Sequence, residues 1–210
     1  FNPWIIKLQE LVESKVVGDV WGARIVAGQY LPNWRPGSDY RNIYSAKKKM
    51  GGGVLRDLSH ELDYLACLIR KKIIKVTARK ICTKRIDIET EDICSLVIEY
   101  SDKSIAEVHL DYLIKPYRRS VELYGEKGTI VWDGNLNNIL LYDKMINQPQ
   151  DIQVQNIEGN KVYANELRHF FECISRNSPP LNSLENAIYT NKIIDKAEDS
   201  ARLNKTISFE

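Results

Sequence analysis

The sequence is poor in the residues that announce a chemistry directly. Its 210 residues include three histidines, four cysteines and two methionines. Cys67, Cys82, Cys94 and Cys173 are scattered, with no C-x-x-C pair. That excludes a zinc knuckle and a thioredoxin-type redox site. With 43% hydrophobic residues the chain has material for a sizeable core and does not need disulfides to fold. Four reduced, mostly buried thiols in a cytoplasmic protein are therefore expected. No apolar run approaches the roughly 18 residues of a membrane span, and no basic segment followed by an apolar one marks a signal peptide. The chain begins at Phe1 rather than Met, so the expectation is that something upstream was removed or never included. Thirty Lys and Arg against 28 Asp and Glu leave a net charge of +2, too little for a dedicated nucleic-acid domain. There is no internal repeat and no low-complexity tract. Asn204-Lys205-Thr206 fits the glycosylation pattern but has no secretory context to give it meaning.

Two phosphate-binding signatures are also missing. Gly51-Gly52-Gly53 is not followed by Gly-Lys-Ser/Thr, so it is not a Walker loop. No strand runs into G-x-G-x-x-G and a helix, so the chain carries no dinucleotide fingerprint.

What is present reads as alternating blocks. Residues 3–16 predict a helix, with Pro3 in its first turn, Ile5, Leu8, Leu11 and Val12 on one face, and Gly18 as its stop. Residues 20–31 are β-branched and aromatic and predict a strand. A polar segment from Pro32 to Met50 has no periodicity and is long enough to suggest a functional loop. A helix is predicted from Val54 to Ile69. Strands follow at 73–83, 92–100, 104–113, 117–124, 128–133 and 138–142, with turns at Ser101-Asp102-Lys103 and Gly125-Glu126-Lys127-Gly128 that favour antiparallel pairing. Helices at 160–176 and 184–203 close the chain. The first has Leu167, Phe170, Phe171 and Ile174 as its apolar stripe, and the second starts at a Ser183 cap. The expected class is α+β: one mainly antiparallel open sheet with helices on one face, and no Rossmann unit.

The helix from Val54 carries the candidate chemistry. On a wheel of about 100° per residue, Leu55, Leu58, Leu62, Leu65 and Ile69 form the packing stripe. Arg56, His60, Asp63 and Cys67 fall opposite, with Asp57 and Tyr64 alongside. His60 and Asp63 are spaced as surface neighbours. A carboxylate beside an imidazole orients the ring and raises its basicity, which suits hydroxyl proton transfer. The alternative is a plain solvated face. The preceding triple glycine favours a site, because it lets a ligand approach a positively polarised helix start. In strand 104–113, Glu107, His109 and Asp111 share a face; a polar outer strand face is favoured there over a metal site. His169, beside Glu166 and Glu172, reads as a solvated helix position. Arg70-Lys71-Lys72 suits a helix C-terminus.

Gly-Gly-Gly-x-Leu-x-Asp, then His60, two residues and Asp63, resembles the hallmark of the glucose–fructose oxidoreductase / inositol dehydrogenase / MocA family. Phe1-Asn2-Pro3 with the helix and Gly18-Asp19-Val20 is similar to the opening of that family's second domain. Glu166-Leu167-Arg168-His169-Phe170-Phe171 is similar to its end. The resemblance covers nearly the whole chain. It implies an α+β substrate domain whose sheet face forms a homo-oligomer. It also implies an N-terminal NAD- or NADP-binding Rossmann domain, absent from this chain, which supplies an active-site lysine. His60 is then the acid/base, with Asp57 and Asp63 its neighbours. The family commonly places three residues between Asp and His; here only Leu58 and Ser59 intervene, so Asp57 is expected to point elsewhere.

The loop from Pro32 carries Tyr30, Trp34, Arg35, Tyr40, Arg41 and Tyr44 near the position of the family's substrate cleft. Guanidinium forks suit carboxylate or phosphate, and flat aromatic faces suit sugar rings. Trp34, Arg35, Arg41 and Tyr44 are therefore the substrate-contact candidates, while Lys47–Lys49 read as solvated. Leu-Pro-x-Trp-Arg-Pro-Gly-x-Asp-Tyr-Arg resembles a branch tied to surface-polysaccharide and acidic-sugar pathways, which implies a nucleotide-sugar or sugar-acid substrate. The expectation is a sugar dehydrogenase's substrate domain, inactive by itself, with no metal, no nucleic acid and no membrane. The alternative is a non-catalytic binding or dimerisation module of the same fold. A metal hydrolase on the His60 face is a more distant reading.

Overall fold

The computed structural model describes residues 1–145, 148–155 and 159–210. The chain opens with α1 (Pro3–Glu13), whose Asn2 side chain caps the Trp4 and Ile5 amides. It ends earlier than expected: Lys15 takes a left-handed φ of 54°, so the chain has already turned when it reaches Gly18. β1 (Val20–Gly28) follows. It stops short of Tyr30 and Leu31 because Pro32 opens a tight turn there. The long loop is a chain of short 3-10 turns rather than irregular coil.

The helix expected from Val54 to Ile69 is two helices, α2 (Val54–Asp57) and α3 (His60–Leu68). Leu58 leaves helical geometry at φ −98°, ψ 25°, so a single wheel does not apply across the break. Strands β2 (Ile73–Ile81), β3 (Ile93–Tyr100), β4 (Ile105–Asp111), β5 (Arg118–Gly125), β6 (Gly128–Asp133) and β7 (Asn138–Asp143) match the expected run to within a few residues. The edge strands β8 (Gln150–Ile152) and β9 (Ile207–Ser208) were not expected. α4 (Gly159–Arg176) and α5 (Leu184–Leu203) complete the molecule, α5 with the Ser183 hydroxyl accepting from the Asn186 amide.

The nine strands form one sheet in the order β8-β7-β6-β5-β1-β4-β3-β2-β9. Both expected hairpins, β3–β4 and β5–β6, are antiparallel. The exception to antiparallel pairing is β1, which lies between β4 and β5 and runs parallel to β4. The α+β class with one mainly antiparallel open sheet stands. Its core face carries Ala23 and Ile25 of β1, Leu96 and Ile98 of β3, Val108 of β4 and Val121 and Leu123 of β5, all buried. Over it lie α2, α3 and α5, with α1 against α3.

α4 is different. Cys173 is its one buried residue, and Leu167, Phe170, Phe171 and Ile174 are between 53% and 63% exposed. All four cysteines are free thiols, and only Cys94 and Cys173 are buried, fewer than expected. No described helix is long and apolar enough to cross a membrane.

Candidate active site

The triple glycine does not hold open a ligand site. A Cβ on Gly52 would meet the Tyr44 carbonyl oxygen at 2.1 Å, and one on Gly53 would meet Glu91 Oε1 at 2.5 Å. Gly53 also has φ +116°. These glycines let the chain's own loop and the Glu91 carboxylate close onto the start of α2. The Leu55 amide donates to Glu91 Oε1 at 3.4 Å. The positive end of the helix is thus met by an internal anion.

α2 and the loop bring Asp57, Tyr44 and Trp34 together. Tyr44 donates its hydroxyl proton to Asp57 Oδ1, and Tyr112 donates to Oδ2 at 2.8 Å. Trp34 meets Tyr112 edge-on at 5.4 Å, with its indole N–H on the Gln29 carbonyl at 3.1 Å. Burial, then the bond to Asp57, pushes the Tyr44 phenol above its usual range, with Arg35 near enough to oppose the shift. Burial and the Asp57 charge push Tyr112 further up. Both phenols stay protonated donors, so Asp57 is a held carboxylate. Tyr44, 40% exposed, is the face this group offers outward. Arg41 does not join it. Its guanidinium forks onto Asp39 at 2.8 Å and lies 3.7 Å from Asp87.

Within α3 the partner of His60 is Glu61. His60 begins α3 with its side chain 55% exposed, and its Nε2 lies 3.1 Å from Glu61 Oε1. Among the described residues it forms no ion pair with Asp63. The Asp63 carboxylate accepts the Thr190 hydroxyl at 3.0 Å and ties α3 to α5. Tyr64, expected beside the solvent face, is 6% exposed. Arg56 is likewise fastened to Glu198 of α5, at 2.9 and 2.7 Å.

Glu61 is fully buried, and the sequence reading did not single it out. Arg119 Nη2 of β5 lies 2.8 Å from its Oε1, and Tyr64 donates to its Oε2. Burial alone would raise the Glu61 carboxyl; contact with His60 and the Arg119 charge outweigh that and hold it below the usual carboxylate range. Arg119 is set between the Tyr64 ring at 5.6 Å and the Trp132 ring at 5.5 Å, a cation–π seat. The signal was in the sequence. Glu61 stands three residues after Leu58 and four before Leu65, on the packing stripe itself. Arg119 shares its strand parity with the core residues Val121 and Leu123.

A family model for the GFO/IDH/MocA C-terminal domain matches residues 5–131, a span that holds Tyr44, Asp57, His60, Glu61, Tyr112 and Arg119. The chain belongs to that family. Its fold also matches solved oxidoreductase structures. An NAD-binding oxidoreductase from Klebsiella pneumoniae has 14% identity and a TM-score of 0.85, over 100% of this chain and 64% of that one. An aldose-aldose oxidoreductase from Caulobacter crescentus, complexed with glycerol, has 18% identity and a TM-score of 0.84, over 99% and 61%. An oxidoreductase from Agrobacterium radiobacter, in complex with NAD+, L-tartaric acid and magnesium, has 16% identity and a TM-score of 0.82, over 99% and 62%. The chain therefore spans less than two thirds of these relatives. No curated protein matches the sequence.

Other candidates of this GFO/IDH/MocA domain have structural employment. His109 Nδ1 lies 2.9 Å from Ser95 Oγ and its Nε2 3.3 Å from Asp111, on the open sheet face. No described cluster of three or more His, Cys, Asp or Glu could hold a metal ion. His169 is not simply solvated: its Nε2 accepts the Leu181 amide at 2.9 Å, and the Phe1 ring packs on it at 5.2 Å. Lys71 bonds the Val20 carbonyl and Asp102, so it serves as a cross-link rather than a free cation at a helix end.

Proposed function

We propose that this chain is the substrate side of a nicotinamide-dependent sugar oxidoreductase, with His60 as the proton-transfer group. The observation that carries the reading is an exposed imidazole seated on a buried carboxylate. An imidazole titrates near neutrality, so it can take a hydroxyl proton and return it. Tyr44, held by Asp57, is a hydrogen-bond partner for a sugar hydroxyl. The exposed Arg35 beside it is a counter-charge for an acidic or nucleotide sugar. Asp63 acts one step away, by fixing α3 on α5. Arg41 and Trp34 shape the loop that carries Tyr44, rather than touching substrate themselves.

The dinucleotide's phosphates find no cradle among these residues: the chain has no glycine fingerprint, and the glycine-led helix start is taken by Glu91. NAD or NADP, held by a preceding Rossmann-type domain, would supply the hydride chemistry. The exposed apolar stripe of α4 supports such a neighbour. Phe1 packs on His169 of that helix, so a domain ahead of Phe1 would begin beside it. The open sheet face, with Trp21 58% and Ile105 43% exposed, is our candidate for self-association, and free thiols suit a cytoplasmic setting. Relatives that act on aldoses or hold NAD+ and a hydroxy acid are consistent with this assignment.

The test is a two-domain protein, with a dinucleotide-binding domain ahead of Phe1, assayed by nicotinamide absorbance against free sugars, sugar acids and nucleotide sugars. Reduction of NAD+ or NADP+ by at least one of the sugar acids or nucleotide sugars is expected. A properly folded, cofactor-binding protein that turns over none of the panel would contradict the assignment and favour a binding or dimerisation module.

A further inference from the structure

Glu61 has no packing reason to be charged. An ionised carboxylate in the core is costly unless it is paired and hydrogen-bonded. Here Arg119 Nη2 supplies the counter-charge at 2.8 Å and Tyr64 bonds Oε2. Yet Oε1 has no well-aligned hydrogen bond, despite being buried. Its two close neighbours are the guanidinium and His60 Nε2, the latter at 3.1 Å. The Arg119 end is fixed between two rings, and Tyr64 is buried. The imidazole is the exposed and adjustable member. Its Nε2 already lies within hydrogen-bond distance of the waiting oxygen.

We propose that Glu61, rather than Asp63, is the positioning residue for His60: it holds the ring through Nε2 and leaves Nδ1 as the nitrogen that exchanges a proton with substrate. The inference rests on His60 being the proton-transfer group. In the oxidative direction the hydroxyl proton passes to Nδ1, Nε2 keeps its own proton, and Glu61 stays a carboxylate that stabilises the imidazolium as it forms. The groups facing Glu61 are His60 and Tyr64 from α3 and Arg119 from β5, with Tyr117 against Arg119. Arg119 offsets part of the Glu61 charge, so the ring gains direction and keeps some stabilisation of the imidazolium.

Nitrogen-15 NMR of the histidine side chains in this 210-residue chain tests this without any substrate. His60→Gln identifies the His60 signals by their loss. The wild-type chain, above the pH at which His60 titrates, is expected to show a protonated Nε2 whose proton is protected from exchange, with Nδ1 bare. The double variant Glu61→Met/Arg119→Met removes both charges together, so that neither is stranded, and it should lose that protection. A wild-type proton on Nδ1, or unchanged protection in a folded double variant, overturns the proposal. If the double variant does not fold, the wild-type tautomer and exchange rate decide alone. In the two-domain enzyme, Glu61→Gln should lower kcat by about 10²-fold or more with little change in KM, and Glu61→Asp should restore part of it. Loss of activity in His60→Ala tests the assignment of His60 itself, so the two failures are separable.

Discussion

Glu61 fixes how the domain should respond to acid. Its carboxyl sits below the usual range when folded, against burial and because of His60 and Arg119. Asp111 and Glu198 are shifted the same way, also against burial, by hydrogen bonds from His109 and Arg56 respectively. A carboxyl depressed in the folded state contributes stability that is present above its unfolded pKa and lost as pH falls through the folded one. The melting temperature should therefore hold down to about pH 5 and fall progressively below roughly pH 4. A melting temperature unchanged at pH 3 would show that these pairs are not coupled to folding. At this scale the sequence was only partly readable. The hydrophobic pattern placed both Glu61 and Arg119 among core residues, and two opposite charges on buried positions signal a pair. Such a pair is hard to see beside a candidate site, where polar residues are equally well explained by solvent. The Asp57–Tyr112 bond had no such mark: the partners lie 55 residues apart, and only the placement of α2 on β4 brings them together.

Among the elements, the decisive feature is the two-residue break between α2 and α3. Periodicity located the helical segment and its buried leucines correctly, since Leu55, Leu58, Leu62 and Leu65 are all buried. It could not locate the break, because apolar spacing continues across Leu58 and Ser59 and nothing there is a helix breaker. The expected His60–Asp63 pairing lies wholly within α3 and gives way for another reason: Asp63 is taken by Thr190 of α5, and His60 turns to Glu61. The short strands β8 and β9 were hidden for a different reason: two or three residues are too few to show an alternation. The glycine run serves internal packing rather than a ligand's approach. At Gly53 a side chain meets both a left-handed backbone and the Glu91 carboxylate, so Gly53→Ala should cost about 1–3 kcal/mol for the backbone alone. Gly51 also has a left-handed φ of 76°, but a Cβ there has open space, so Gly51→Ala should cost less. Urea denaturation of the two variants measures this. Equal stabilities would mean that the approach of Glu91 does not matter.

For the whole molecule, the fold class was accessible because the strands are long, alternating and joined by recognisable turns. The insertion of β1 beside β4 was not, since a parallel pairing of strands far apart in sequence leaves no local trace. The exposed stripe of α4 and the open sheet face are surfaces that an apolar pattern alone would have assigned to a core. They are consistent with a domain that works against neighbours. The chain by itself should bind NADH no more tightly than millimolar, as read by NADH fluorescence titration. Micromolar binding would place the cofactor site within these 210 residues and undo the division of labour proposed above.

We propose above that His60 moves the proton. The most direct measurement is single-turnover hydride transfer in the two-domain enzyme, with its best sugar substrate, comparing wild type with His60→Ala. The predicted result is a rate lowered by about 10²–10⁴-fold, with cofactor binding and melting temperature retained. A His60→Ala enzyme that transfers hydride within a few-fold of the wild-type rate would contradict it.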